Sequence, residues 1–189
     1  MKVKTLSWFG GLIVIALSVL LLTLFQTLGR TQSIPNEPPQ GSARYAAALQ
    51  TYNDGDYGAA YEAFLDLAQK GNVDAKSMLG VMFFQGHGVV LNKVTAAIWF
   101  YQAARAGRPA AQLVLGRLYL AGDGVVTDIQ EAGFWLSLAY NRGTEDVAAQ
   151  AKQALDTVMP NLSEANRTAI LKRVALWRPV MPDRDTLGG

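Results

Sequence analysis

Between residues 75 and 146 apolar side chains return every three or four positions, and short glycine-bearing stretches interrupt them. That spacing predicts amphipathic helices joined by tight turns. Ala75, Leu79 and Phe83 share one helical face, and Gly86 and Gly88 offer positive φ where that helix ends. Asn92 stands where a second helix needs an N-cap, and Ala96, Trp99 and Ala103 mark its buried side. Gly107 ends it, and Pro109 suits the first turn of the next helix. Asp128 repeats the cap, with Glu131 placed to complete a capping box. Thr144 reads as the cap of a further helix, with Glu145 and Asp146 in its first turn. Pro160 breaks the chain, and Ser163 to Trp177 predicts a terminal helix over the open end.

The pattern is also a repeat. Set against Ala111–Asp146 without gaps, Ala75–Ala110 is identical at eleven of 36 positions. They include Leu79/Leu115, Gly80/Gly116, Gly86/Gly122, Gly88/Gly124, Ala96/Ala132, Trp99/Trp135 and Gly107/Gly143. Glycine inside a helix costs about 1 kcal/mol against alanine, so Gly80 and Gly116 predict close helix–helix approach, beneath a tryptophan. A lone helical hairpin cannot bury its faces, so successive units must stack.

The pattern LG…F/Y..G.GV…(N/D)…A..W…A…G resembles the Sel1-like repeat family, relatives of tetratricopeptide repeats. Upstream, Gly55-Asp56-Tyr57 with Ala60 and Phe64 resembles a tetratricopeptide-type hairpin over 43–71 with a shorter loop. The expected fold is all-α: eight helices in a short right-handed αα-solenoid, preceded by one N-terminal transmembrane helix. The repeat domain is expected over 43–178, with repeats at 75–110 and 111–146, capping helices at 145–178 and a flexible tail at 179–189.

The N-terminus differs in character. Trp8 to Phe25 runs eighteen residues without a charge, a helix of about 27 Å against a hydrocarbon core of roughly 30 Å. Residues 1–30 read as a membrane anchor; the alternative is a cleaved signal peptide, for which Thr27-Leu28-Gly29 is a weak cleavage site. Lys2 and Lys4 precede the span and Arg30 alone follows it closely, which predicts N-in, C-out. In a Gram-negative bacterium that places the domain in the periplasm, tethered to the inner membrane, or free there after cleavage. Residues 31–42, with three prolines, read as an extended linker.

Charge and composition narrow the chemistry. The net charge is +2, but Lys2, Lys4 and Arg30 lie in the acid-free first thirty residues, leaving fourteen cations against fifteen acids beyond them. Nucleic-acid binding is disfavoured without a basic field. No cysteine and one histidine exclude disulfides, thiol catalysis and a multi-histidine metal site within one chain. His87, between Gly86 and Gly88, reads as an exposed loop residue without a nucleophile or orienting carboxylate. Asn53-Asp54-Gly55-Asp56 starts like a calcium loop, but the twelfth position is Leu65, so it reads as a turn. Arg167, Lys172, Arg173 and Arg178 make the last helix basic, read as a solvated face. Trp99, Trp135 and Trp177 read as core or end-cap residues. No catalytic residue, cofactor or metal site is predicted.

In tetratricopeptide-like stacks the first helices of successive units line a concave surface that holds peptides. The resemblance therefore implies a strip of Tyr45, Leu49 and Tyr52, then Ser77, Val81 and Phe84, then Leu113, Arg117 and Leu120. It implies a scaffold, adaptor or accessory subunit that binds a protein or peptide of the envelope. The alternative is a cell-wall or β-lactam-related hydrolase, associated with a cysteine-rich branch of the family whose cysteines this chain lacks.

Overall fold

The computed structural model describes residues 40–180, and all of their regular structure is helical. The order is α1 (Gln40–Asn53), α2 (Tyr57–Gln69), α3 (Val73–Gln85) and α4 (Lys93–Arg105), then α5 (Pro109–Ala121), α6 (Ile129–Arg142) and α7 (Glu145–Val158). A single 3-10 turn (Met159–Asn161) leads to α8 (Glu164–Leu176). The eight expected helices are thus present among the described residues. The expected span at 1–30 and the linker up to residue 39 lie outside the described residues. α1 begins at Gln40, before the expected domain start at residue 43. Among the described residues, no helix is long and apolar enough to cross a membrane.

Short polar side chains start the helices, satisfying amide donors that have no partner within the first turn. Asp56 accepts from Ala59 N at 3.1 Å, Asn72 from Ala75 N at 2.8 Å and Asn92 from Thr95 N at 3.0 Å. Asp128 accepts from Gln130 N and Glu131 N at 2.8 and 3.0 Å. The expected capping box is not completed. The Asp128 amide already donates to the Tyr119 carbonyl at 3.1 Å, and the Glu131 carboxylate pairs with Arg173 at 2.7 Å. Thr144 stands at the N-cap of α7, but its side chain makes no capping bond.

Helices α1 to α7 pack chiefly on their neighbours in sequence, α5 also meets α7, and α8 packs on α6. One apolar cluster gathers Ala60, Phe64, Leu67, Leu79 and Met82; a second gathers Phe100, Leu115, Phe134, Trp135, Leu136 and Ile170. Each such large side chain contributes about 1.5–3 kcal/mol when buried. The helical glycines mark close approaches, though not beneath a tryptophan. A Cβ on Gly80 would stand 2.9 Å from the Phe100 ring, and one on Gly116 would stand 2.7 Å from Leu136 Cγ. Phe100 and Leu136 directly follow Trp99 and Trp135, so the residue one step on in each second helix faces the glycine.

Two further glycines lock the units together. Gly88 and Gly124 have φ of +72° and +74°, and their backbones press on the carbonyls of Tyr57 and Lys93, the first residues of α2 and α4. The loop of each repeat therefore seats on the start of the preceding unit's second helix. Beyond α8 the chain turns back: Val180 N donates to the Arg105 carbonyl at 2.8 Å, and Pro179 lies against Gly107. The tail expected from residue 179 is thus docked through Val180, and 181–189 lie outside the described residues.

This seating makes a differential prediction. Gly55 also holds a left-handed backbone, φ +87°, but in open space, so Gly55→Ala should cost about 1–2 kcal/mol. Gly124→Ala must also displace the Lys93 carbonyl, and should cost about 1–3 kcal/mol more. Urea denaturation of both variants measures the difference; equal losses would show that the stack does not depend on this contact.

Candidate interaction surface

The N-caps Asp56, Asn92 and Asp128 set a common origin for the second helices α2, α4 and α6. The first helices α1, α3 and α5 follow the same order, with a shorter connection between α1 and α2. Tyr45, Ser77 and Leu113 then share one register position. Leu49, Val81 and Arg117 share a second, and Tyr52, Phe84 and Leu120 a third.

These nine residues are not equally available. Tyr45, Leu49 and Tyr52 are half-buried against the N-terminal cluster, with Tyr45 and Phe64 ring centroids 5.8 Å apart. Val81, Phe84 and Leu120 are half-buried against the second cluster, and the Lys93 ammonium lies 5.5 Å over the Phe84 ring. Ser77, also half-buried, returns its hydroxyl to the Val73 carbonyl at 3.3 Å. Leu113 is a core side chain, only 5% exposed, and is withdrawn from the expected contact strip. It belongs to the second apolar cluster, which also holds Ala151 and Val158 of α7. Arg117 is exposed and makes no hydrogen bond or ion pair among the described residues.

His87 is not the exposed loop residue expected. Its half-buried ring stacks on Tyr57 at 4.3 Å between centroids, and its Nδ1 lies 2.8 Å from the Tyr52 hydroxyl. Tyr52 also donates to Gln85 Oε1 at 3.0 Å, an arrangement satisfied when His87 Nδ1 carries the imidazole proton. His87 thus joins the loop of the first repeat to the preceding hairpin. One unit later Asp123 does the same through an ion pair with Lys93 at 2.6 Å.

The remaining candidates are structural too. Asp54 accepts from Gln50 Nε2 at 2.8 Å in the turn between α1 and α2, and no metal-ligating cluster occurs among the described residues. In the basic α8 region, Arg173 pairs with Glu131 and lies 4.1 Å over the Phe134 ring while its side chain stays 46% exposed, so it remains on the solvated face expected. Arg167 bonds the Leu162 carbonyl at 3.0 Å, and Arg178 bonds the Trp177 carbonyl at 2.8 Å. Trp135 is core, Trp99 half-buried, and Trp177 lies under the Arg142 guanidinium at 4.6 Å.

The sequence reading missed the outer face of α4. Val94, Ile98 and Tyr101 are 58%, 53% and 40% exposed, one helical turn apart. The loop valines Val90 and Val126 are each 87% exposed. The signal was present, because these three α4 positions lie opposite the Ala96, Phe100 and Ala103 face. The three α4 positions differ between the repeats, with Gln130, Phe134 and Ser137 in the next unit, so the 36-residue step does not mark them.

Three tyrosines hold their protons above the ordinary value near 10. Burial is the main cause for all: Asp74 adds to it at Tyr45, where Arg108 opposes; Tyr57 adds at Tyr52; and Glu131 adds at Tyr119. The unfolded chain releases these protons first as pH rises. Their contribution is therefore complete below about pH 10 and is lost as pH climbs past it toward the folded-state values. Tyr52→Phe should cost about 0.5–1.5 kcal/mol at neutral pH through its lost hydrogen bonds, and make the alkaline decline shallower. Unfolding free energy measured from pH 8 to 11 checks both; an unchanged alkaline slope would remove Tyr52 from the account.

With this geometry in view, residues 73–107 and 109–144 match the Sel1 repeat. No curated protein matches this sequence. Among solved structures, a protective antigen present in uropathogenic Escherichia coli strains, which displays an SLR fold, is 26% identical with a TM-score of 0.65. The match covers 72% of this chain and 29% of that one. A Sel1 repeat protein from Oxalobacter formigenes shares the fold at 22% identity and a TM-score of 0.56, over 72% of this chain and 55% of its own. This chain therefore spans less than two thirds of either structure. Sel1 repeat proteins are generally protein–protein interaction scaffolds. With two matched repeats at residues 73–107 and 109–144, and with solved Sel1 folds laid over 72% of its length, this chain carries a Sel1-like repeat region.

Proposed function

We propose that this protein is a membrane-tethered scaffold, an adaptor or accessory subunit of an envelope complex. Residues 1–30 would hold it in the inner membrane, N-terminus inside, with the repeat domain in the periplasm. The support for the tether is the eighteen-residue uncharged run, close to a bilayer core in helical length, and the lysines ahead of it.

The observation that carries the scaffold reading is the shared register of α1, α3 and α5. Half-buried Tyr45, Leu49, Tyr52, Val81, Phe84 and Leu120 supply apolar contact area on already ordered side chains, with Ser77 as a small polar break. Arg117, exposed and unpaired among the described residues, supplies the oriented charge that a carboxylate or backbone carbonyl of a peptide would meet. Ordered aromatic surface with one free guanidinium is the composition that interface anchors favour.

The test is affinity purification of the tagged full-length protein from its own membranes in mild detergent, with the intact mass of the bait recorded. A stoichiometric partner retained by a bait that keeps residues 1–30 is the expected result. Arg117→Glu should lose that partner without loss of helical content, since the side chain supports nothing else. A bait that elutes alone and cut near Gly29 would overturn the tethered-scaffold reading, and full retention by Arg117→Glu would move the contact off this strip.

A further inference from the structure

The exposed side chains of α4 line one wall of a groove of about 310 Å³; its floor and far wall are Ala97, Leu115, Tyr119 and Val125. The same place can be followed through all three units of the stack. One unit earlier, Tyr61 stands at the position of Ala97 and packs edge-on against Phe83, the counterpart of Tyr119, at 6.0 Å. There Gly58 and Glu62 replace Val94 and Ile98, so that face is small and polar. One unit later, Gly133 stands at the position of Ala97, and Ile170 of α8 comes within 3.2 Å of where its Cβ would be. Arg173 of the same helix covers Phe134, the counterpart of Ile98. The position is therefore filled from within by an aromatic ring in the first unit, and by the buried Ile170 side chain of α8 in the third. In the middle unit Ala97, itself only 3% exposed, is too small to fill the place and forms the floor of the groove, which exposed Val94, Ile98 and Tyr101 border.

Tyr101 also borders a second depression, of about 190 Å³, lined by Val73, Lys76, Gln102, Arg105 and Val180. Neither Lys76 nor Arg105 meets a carboxylate among the described residues; the Arg105 guanidinium rests 5.6 Å over the Tyr101 ring. The apolar groove and this depression share Tyr101 as a common wall, and the depression holds two cations that pair with no carboxylate among the described residues.

We infer that this groove receives an amphipathic helix of a partner protein. The helix sets an aliphatic side chain over Ala97, as Ile170 is set over Gly133, and turns acidic residues toward Lys76 and Arg105. The inference rests on the scaffold reading but uses a different face of α5 from Arg117.

The probe is a fluorescein-labelled synthetic helix with leucine and isoleucine at three- and four-residue spacing and glutamates toward one end, read by anisotropy against the full-length protein in detergent. A control peptide carries lysines in place of the glutamates. The glutamate peptide should bind in preference to the control. Ala97→Tyr, which refills the groove as Tyr61 does, should weaken binding by about tenfold or more. Ile98→Glu, at an exposed position, should do the same and serves if the first variant folds poorly. Lys76→Glu with Arg105→Glu should reverse the preference between the two peptides, and Arg117→Glu should leave it unchanged. No binding to the parent protein, equal binding to Ala97→Tyr and Ile98→Glu, or loss only in Arg117→Glu would overturn the inference. A dimer in sedimentation that Ala97→Tyr splits would give the groove to a second copy and overturn it too. Peptide binding through Ala97 without any partner retained from membranes would uphold the groove and fail the scaffold reading; a retained partner with no peptide binding would do the reverse.

Discussion

Backbone pressed on backbone sets the register of this stack. Gly88 lies against the carbonyl of Tyr57, and Gly124 against that of Lys93, with no room for a Cβ at either place. Because each contact joins the loop of one unit to the first residue of the preceding second helix, it fixes the step between units. The side chains beside the glycines then reinforce it by different chemistry, a His87–Tyr57 ring stack in one repeat and an Asp123–Lys93 ion pair in the next. The exposed ion pair is worth about 0–1 kcal/mol, so close packing of the loop backbone must carry most of the constraint.

With the step fixed, the second helices are left to vary, and their outward faces differ most. Tyr61, Ala97 and Gly133 occupy equivalent places, yet the first closes its own groove, the second leaves one open, and the third accepts α8. A short 3-10 turn leads from α7 into α8, which settles on α6. Ile170 and Arg173 then serve as the end of the stack, one by burial and one by pairing with Glu131 across to α6. A repeat array needs such an end, because an uncapped unit would leave its apolar face in water.

The return of the chain through Trp177, Pro179 and Val180 adds a second tie, from the end of the domain to the turn between α4 and α5. It also builds one wall of the depression that holds Lys76 and Arg105. The middle unit is therefore the place where loop seating, C-terminal return and exposed apolar residues meet.

The sequence by itself determined the helix count, the N-caps at Asn92 and Asp128 and the 36-residue step, because these depend on periodicity and on local backbone chemistry. It also determined that Gly80 and Gly116 need close neighbours, but not that Phe100 and Leu136 would be those neighbours. Interhelical rotation selects the facing residue, and one step along a helix turns a side chain by about 100°. Only the tertiary structure decided that Leu113 is core, that His87 is held by Tyr52 and Tyr57, and that Glu131 serves Arg173 rather than its own cap. Each of these partners lies in another helix or another unit, so no local pattern could name it. The groove on α4 belongs to the same class: its residues are ordinary in sequence, and only packing decided that Val94, Ile98 and Tyr101 stay exposed above buried Ala97 and Leu115.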